Sequence, residues 1–288
     1  MSWVLSAFAD EAGDTTQEQI DAIERAGLKH IDVRGIDGHN IATLPLDEAK
    51  AIREKLDAAG ITVAMFGSPL GKVDIADPFE AEAAKLAHMG KLAPVLGCNA
   101  IRIFSYYNKA KVPKDRWKRE SLDRMGRLKK QAADLGLILY HENERHIYGD
   151  RCPEVLDIAE ALRDGKTFRL IFDFDNYNQS GDDVWDNWTK LADHTDAFHL
   201  KDSDEHGQHV PIGEGNGDAR RILADAVKRG WSGPLSLEPH LRHSAAVLAT
   251  HAGGSENQSF QEMSRRDVFN VAAEAAISLL GELKAPVA

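Results

Sequence analysis

Two cysteines in 288 residues, Cys98 and Cys152, are too few and too far apart to form a disulfide framework. Such sparse thiols point to a reducing compartment, and the expected location is cytoplasmic. No apolar run approaches the roughly 20 residues that span a bilayer, so a membrane partner is not expected. The opening stretch MSWVLSAFADEAGD has no basic segment and soon turns acidic, which is not the pattern of a secretory leader. Basic residues are in deficit: 35 Lys and Arg against 46 Asp and Glu give a formal charge of −11. Nucleic-acid binding depends on neutralising phosphates, so no nucleic-acid partner is expected. The chain has no linker, low-complexity tract or compositional break, and no glycine-rich phosphate fingerprint follows its first apolar run.

Short apolar runs alternate with longer amphipathic ones. The runs expected as strands are Val4–Phe8, His30–Arg34, Thr62–Gly67, Ala100–Phe104, Ile138–Glu142, Arg169–Asp173, Ala197–Lys201 and Pro234–Glu238. Between them, apolar residues recur at helical spacing over Thr16–Ala26, Leu46–Ala59, Pro113–Leu135 and a final Phe260–Leu280. The first of these opens on Thr15 and Thr16 ahead of acidic and amide residues, an N-cap signal. Glycine closes several helices just before the next strand, as in AGLKHIDV, AGITVAMF and LGLILYHE. Eight strand–helix units result. The longer irregular stretches, 67–77, 105–111, 143–153, 202–217 and 240–259, all follow strands. Long loops on one side only are expected of a barrel with a functional face. The fold class expected is α/β, a single (β/α)8 TIM barrel over residues 1–288. The alternative, a doubly wound open sheet, needs fewer strands or two domains.

Four of these strands end in side chains able to bind a metal: Glu142, Asp173, His199 and Glu238. Side chains alternate along a strand. If Glu142 faces the barrel mouth, so do Tyr140 and Ile138, while His141 faces the helices. The same alternation groups Asp173 with Ile171, His199 with Ala197, and Glu238 with Ser236. In a βα barrel the strand C-termini share one face, so these four converge. Three carboxylates and one imidazole form a hard O/N set for one divalent metal ion, expected as Mn²⁺, Mg²⁺ or Zn²⁺. With neutral His199 the set sums to −1 around the ion and leaves positions open for a substrate bound through two oxygens.

Several segments carry a family resemblance: GSPLGK (67–72), IRIFSYY (101–107), HENERHIYGD (141–150), FDFDN (172–176), HLKD (199–202), PIGEGNGD (211–218) and SLEPH (236–240). In this order, and over nearly the whole chain, the sequence resembles the xylose-isomerase-like TIM-barrel superfamily and, within it, the sugar phosphate isomerases/epimerases. The resemblance implies that Glu142, Asp173, His199 and Glu238 bind one divalent metal. It also implies that Glu142 and Glu238 are the catalytic acid/base pair. Its D-x-x-N pattern selects Asp173 over Asp175, which would then begin a loop. The implied activity is a metal-dependent isomerase or epimerase of a small sugar or keto-sugar, acting by proton abstraction next to a carbonyl through an enediolate. The alternative is a lyase, a dehydratase of a keto-sugar or keto-inositol, using the same site. Endonuclease action on abasic DNA, also found in the superfamily, is opposed by the charge of −11 and the single histidine ligand. A homo-oligomer is compatible with the resemblance, although nothing in the sequence marks an interface.

Around this set, Lys201, His240, Arg102, Asn176 and Glu214 are candidate substrate-binding residues. Each has a plainer reading. Lys201 at a strand end also suits a salt bridge, and Asn176 suits a loop. Glu214 suits either the orientation of His199 or the shape of its own loop. Arg102, like Arg34, also suits packing over the barrel rim. Glu144 and Tyr148 are expected in supporting roles. The SPLGK turn with Lys72 suits an anion but lacks Walker spacing. Trp185 and Trp188 read as packing residues. His206, His209, His243 and His251 lie in polar loops, with His209 able to approach the mouth.

Overall fold

The computed structural model describes residues 2–249 and 254–288; His251 lies outside them. The eight apolar runs form β1 (Val4–Ala7), β2 (His30–Val33), β3 (Thr62–Phe66), β4 (Ala100–Ile103), β5 (Ile138–Glu142), β6 (Phe168–Asp173), β7 (Ala197–Leu200) and β8 (Pro234–Leu237). They pair in sequence order, all parallel, and β8 returns to β1 in the register Val4↔Pro234 to Ala7↔Leu237, which closes the barrel. The expected (β/α)8 architecture is therefore the observed one.

The outer helices are α1 (Thr16–Arg25), α2 (Leu46–Ala58), α3 (Phe79–Leu96), α4 (Lys114–Asp134), α5 (Cys152–Leu162), a short α6 (Phe174–Gln179), α7 (Val184–Leu191), α8 (Ala219–Lys228), a short α9 (Ala245–Ala249) and α10 (Arg265–Glu282). α1 starts where the sequence signals: Thr15 Oγ1 accepts from Glu18 N, and Glu18 Oε2 accepts from Thr15 N, completing a capping box. The closing glycines adopt the left-handed conformation that ends a helix, as at Gly136 with φ 69°.

Three local expectations are corrected. Six strands end one residue earlier than expected, before Phe8, Arg34, Gly67, Phe104, Lys201 and Glu238. Phe8, Gly67 and Glu238 still donate to the neighbouring strand, to Leu237 O, Val33 O and Leu200 O. The last helix begins at Arg265 rather than Phe260, because Ser264 caps it by accepting from Asp267 N at 3.1 Å. The stretch 240–259, expected to be irregular, contains α9.

Alternation sorts the strand side chains as expected. Met65, Tyr140, Ile171 and Ala197 pack together inside the barrel, with Ala100 and Ile138 against them. His141 points outward and is buried against Gly149. Outward Phe172 and Phe198 meet Trp188 of α7 with ring centroids 5.7 and 5.6 Å apart, so Trp188 is a packing residue. Both cysteines are buried and free. Among the described residues no helix is long and apolar enough to cross a membrane.

The loop after β3 is tied closely to the end of β4. Phe104 N donates to Leu70 O at 2.7 Å and Tyr106 N to Gly71 O at 2.9 Å. Gly71 has φ 84°, and a Cβ there would overlap the Phe104 carbonyl. Gly71→Ala is expected to destabilise the fold by about 3 kcal/mol in urea unfolding. A loss under about 1 kcal/mol would show that this loop is not rigidly seated.

Candidate metal centre

The ligand atoms of Glu142, Asp173, His199 and Glu238 lie within 4.8 Å of one another, and all four side chains are buried. His199 Nδ1 is the hub. It lies 3.0 Å from Glu142 Oε1, 3.2 Å from Glu238 Oε2 and 4.0 Å from Asp173 Oδ2. These residues come from the ends of β5, β6, β7 and β8, four consecutive strands.

Local structure fixes each of them. Asp173 is both the last residue of β6 and the N-cap of α6, and its Oδ1 accepts from Asn176 N at 2.8 Å. That cap is the physical content of the D-x-x-N spacing. Asn143 brackets the Asp173 backbone, accepting from its N–H at 2.8 Å and donating to its carbonyl at 3.1 Å. Asp175 does not begin a loop as expected. It lies in α6, accepts from Ser203 Oγ and sits 3.2 Å from His209 Nε2.

The two glutamates divide their oxygens in the same way. Glu142 turns Oε1 to His199 and Oε2 to Arg102 Nη1, 3.2 Å away. Glu238 turns Oε2 to His199, while Oε1 accepts from Arg34 Nη1 at 2.6 Å and from Arg102 Nη1 at 3.3 Å. Arg34 also grips Asp10 through two 2.8 Å hydrogen bonds, a bidentate pair. The Phe8 ring supports all three cationic groups. Arg34 and Arg102 lie 4.8 and 5.0 Å from its centroid, and His199 meets it edge-on at 5.5 Å.

The electrostatics follow from burial and pairing. Burial pushes the Glu142 carboxyl up, but His199 and Arg102 outweigh it and hold it down at about 2. Glu238 is likewise held well below the usual range, with Lys201 and Arg102 overcoming burial. Asp173 is raised, because burial outweighs the attraction of Lys201. Burial disfavours the His199 imidazolium, yet the Glu142 and Glu238 carboxylates raise it to about 9. A proton on His199 therefore holds the carboxylates together.

A divalent cation fits where that proton sits: three carboxylates and an imidazole nitrogen converge there as hard donors in a buried pocket. A second grouping, Glu11, Glu238 and His240, is also compact. There, however, Arg34 already occupies Glu238 Oε1 at 2.6 Å, and His240 Nδ1 is bonded to Glu11 Oε1 at 2.9 Å. We assign no metal to it.

The candidate substrate-binding residues separate into two sets. Lys201 Nζ lies 3.1 Å from Asp173 Oδ2 and donates to Asn176 Oδ1 at 3.1 Å. Asn176 Nδ2 donates to Asn143 O at 2.8 Å and reaches Glu142 Oε1 at 3.4 Å. Arg102 contacts both glutamates, as described. His240 is buried at the mouth, neutral because burial holds it well below its usual range, with Nε2 3.9 Å from Glu238 Oε1. Glu214 stands apart from them: it is exposed, and its turn is built around Asp202, which accepts from the N–H groups of Gly213, Gly215 and Gly217 at 2.9–3.1 Å. Of the supporting residues, Lys72 pairs with Glu144 at 2.7 Å and Tyr148 donates to Asp157 at 2.6 Å. His209, read as a loop residue, is fully buried beside His240.

Asp10 and Glu11 were not singled out from the sequence, and Arg34 was read only as a strand-end arginine suited to substrate or to packing over the rim. Burial pushes Glu11 up to about 7 against the pull of Arg34. The signal was present: ADE follows β1 after a single residue, Phe8, an acidic strand end like the other three. Beside the cluster lies a cavity of about 460 Å³ with Arg34, Arg102, Lys72, Ile36, Tyr107 and Ala245 in its wall.

The family model described as xylose isomerase-like TIM barrel matches residues 20–263. No curated protein sequence matches significantly. Among solved structures, a D-psicose 3-epimerase with D-tagatose, from Clostridium cellulolyticum H10, is 14% identical with a TM-score of 0.74, covering 97% of this chain and 99% of that one. The probable 3-DHS dehydratase AsbF from Bacillus anthracis, involved in petrobactin synthesis, is 15% identical with a TM-score of 0.71, covering 96% and 99%. The IOLI protein with a binding zinc atom is 13% identical with a TM-score of 0.71, covering 98% and 99%. At these identities the likeness is one of fold.

Elemental analysis after loading with Mn²⁺ tests the cluster. The parent is expected to hold one ion per chain, and His199→Ala and Asp173→Ala are expected to lose it. Unchanged metal content in both variants contradicts the site.

Proposed function

This chain belongs to the family of xylose isomerase-like TIM barrels, and from that premise we propose that it is a divalent-metal-dependent isomerase or epimerase of a small sugar or keto-sugar. The observation that carries the reading is the placing of Glu142 and Glu238. They stand on β5 and β8, and their carboxylates approach the same His199 nitrogen at 3.0 and 3.2 Å. Two carboxylates meeting at one point from different strands can take a proton from one face of a carbon and return it to the other. Both are held low, so both are ionised near neutrality and available as bases.

Glu142, Asp173, His199 and Glu238 hold the ion in this reading, and Mn²⁺, Mg²⁺ and Zn²⁺ all suit the donor set. The ion supplies Lewis-acid stabilisation of the negative charge that develops on the substrate carbonyl oxygen. The chain's own residues do the rest. Arg102 and Arg34 keep the outer oxygens of the two glutamates fixed, so that the inner oxygens face the substrate carbon. Lys201 orients Asp173 and adds positive charge to the pocket, and Asn176 restrains Glu142. His240, neutral and beside Glu238, is placed to hydrogen-bond a substrate hydroxyl. Glu142 or Glu238 removes the proton next to the carbonyl, giving an enediolate, and the other returns a proton. The structural neighbours that are sugar epimerases support this outcome.

The second reading is a dehydratase, in which the same enediolate expels a β-hydroxyl. The neighbour that is a probable dehydratase of the same fold favours keeping it. The surroundings of the cluster, with −11 formal charge over the chain and one histidine ligand, do not favour a polynucleotide substrate.

The test is a screen of keto-sugars and inososes in D₂O with Mn²⁺-loaded protein, read by mass spectrometry. An isomer of the substrate, heavier only by its one carbon-bound deuterium, is expected, and loss of water selects the dehydratase. Glu238→Gln is expected to lower deuterium exchange by at least about 10³-fold. Exchange at the parent rate would remove Glu238 as a proton carrier.

A further inference from the structure

Beneath the metal cluster the barrel interior holds a polar layer with no role in the reading so far. Asp32 of β2 is 1% exposed, and its Oδ2 accepts from Ser6 Oγ at 2.6 Å. Ser6 Oγ lies 3.5 Å from Ser236 Oγ. In the strand register Ser6 pairs with Ser236, and Ser236 pairs with His199. Asp32, Ser6, Ser236 and His199 thus form one arc along the inner wall, ending at the metal-binding imidazole.

Three fully buried polar atoms in this part of the barrel have no hydrogen-bond partner: Asp32 Oδ1, His199 Nε2 and Arg102 Nε. One is an acceptor and two are donors. Buried polar groups are rarely left unmatched, and an internal water typically makes about three hydrogen bonds. The charges of His199 and Arg102 both act on Asp32, and a water accepting from His199 Nε2–H and Arg102 Nε–H while donating to Asp32 Oδ1 would match all three.

We propose that Asp32 is a positioning residue for the metal centre, holding the proton of His199 on Nε2 through this water so that Nδ1 meets the cation with its lone pair. The inference rests on the metal-centre reading above. Which nitrogen of a histidine binds metal is set by the hydrogen bond that the other makes. Nδ1 faces Glu142, Glu238 and Asp173, so Nε2 is the nitrogen that must keep its proton. Ser6 fixes the Asp32 carboxylate and leaves Oδ1 for the layer. The chain thereby links β1, β2 and β4 to a metal centre whose ligands all stand on β5 to β8.

The experiment measures Mn²⁺ dissociation constants for the parent and for Asp32→Ala, Asp32→Asn, Ser6→Ala and His199→Ala, together with the thermal midpoint of each metal-free protein. Asp32→Ala is expected to weaken Mn²⁺ binding about 10- to 100-fold, the usual effect of losing the partner of a metal-binding histidine. Asp32→Asn, which keeps an acceptor, is expected to recover part of the loss. A purely structural role would lower the metal-free midpoint and leave the Mn²⁺ affinity of the folded protein unchanged. Affinity within twofold of the parent in Asp32→Ala, with binding lost in His199→Ala, overturns the role of Asp32 and leaves the metal centre standing. If His199→Ala still binds Mn²⁺, the metal centre falls and the role of Asp32 with it. Should Asp32→Ala fail to fold, Ser6→Ala decides: weaker Mn²⁺ binding supports the arc, and parent affinity overturns it.

Discussion

Buried negative charge at the barrel mouth is the constraint around which the site is arranged. Asp10, Glu11, Glu142, Asp173 and Glu238 are all nearly inaccessible, and a carboxylate taken out of water is costly unless it is matched. Three permanent cations face these five acids: Arg34, Arg102 and Lys201. Five minus three leaves two negative charges. Without a bound cation the deficit is reduced by the proton on His199 and by burial, which raises the pKa of Asp10, Glu11 and Asp173 and favours their neutral forms. A single divalent cation matches the deficit outright. The same imbalance that favours protons on the cluster would favour a divalent cation.

The arginines decide how the charge is used. An isolated pair of glutamates could turn both oxygens toward a cation. Here Arg34 and Arg102 hold the outer oxygens of Glu238 and Glu142, and each glutamate presents one oxygen inward. Phe8 keeps both guanidinium groups in place, and Gly67 leaves room for that ring, since a Cβ there would crowd Phe8 and Arg34. The ends of β1 and β2 thus set the geometry of the glutamates on β5 and β8.

The fold was legible because its signals are local and repeated. Apolar runs recur eight times, several of them entered from a glycine-closed helix, and closure follows from the count. The convergence of Glu142, Asp173, His199 and Glu238 was legible for the same reason, as each ends a strand and alternation aims them together. What escaped depends on long-range packing. Asp175 follows a strand as Asp173 does, and only the cap to Asn176 and the contact with His209 separate their roles. Glu214 sits in a glycine-rich loop that invites a functional reading, but the loop closes on Asp202 instead. Asp10, Glu11 and Asp32 gain their importance from Arg34, Ser6 and His199, partners that no spacing rule connects to them. His209 lies in a polar segment whose burial arises from residues after β8 folding over it, Asn257 donating to its carbonyl at 2.9 Å.

The central claim is that the four strand ends form one cation site shaped by the arginines beside it. Anomalous diffraction from crystals of the Mn²⁺-loaded protein tests it most directly. One anomalous peak is expected, bound by Glu142, Asp173, His199 Nδ1 and Glu238, with Arg34 and Arg102 still on the outer glutamate oxygens. A peak between Glu11, Glu238 and His240, or no peak at the mouth of the barrel, would contradict the account.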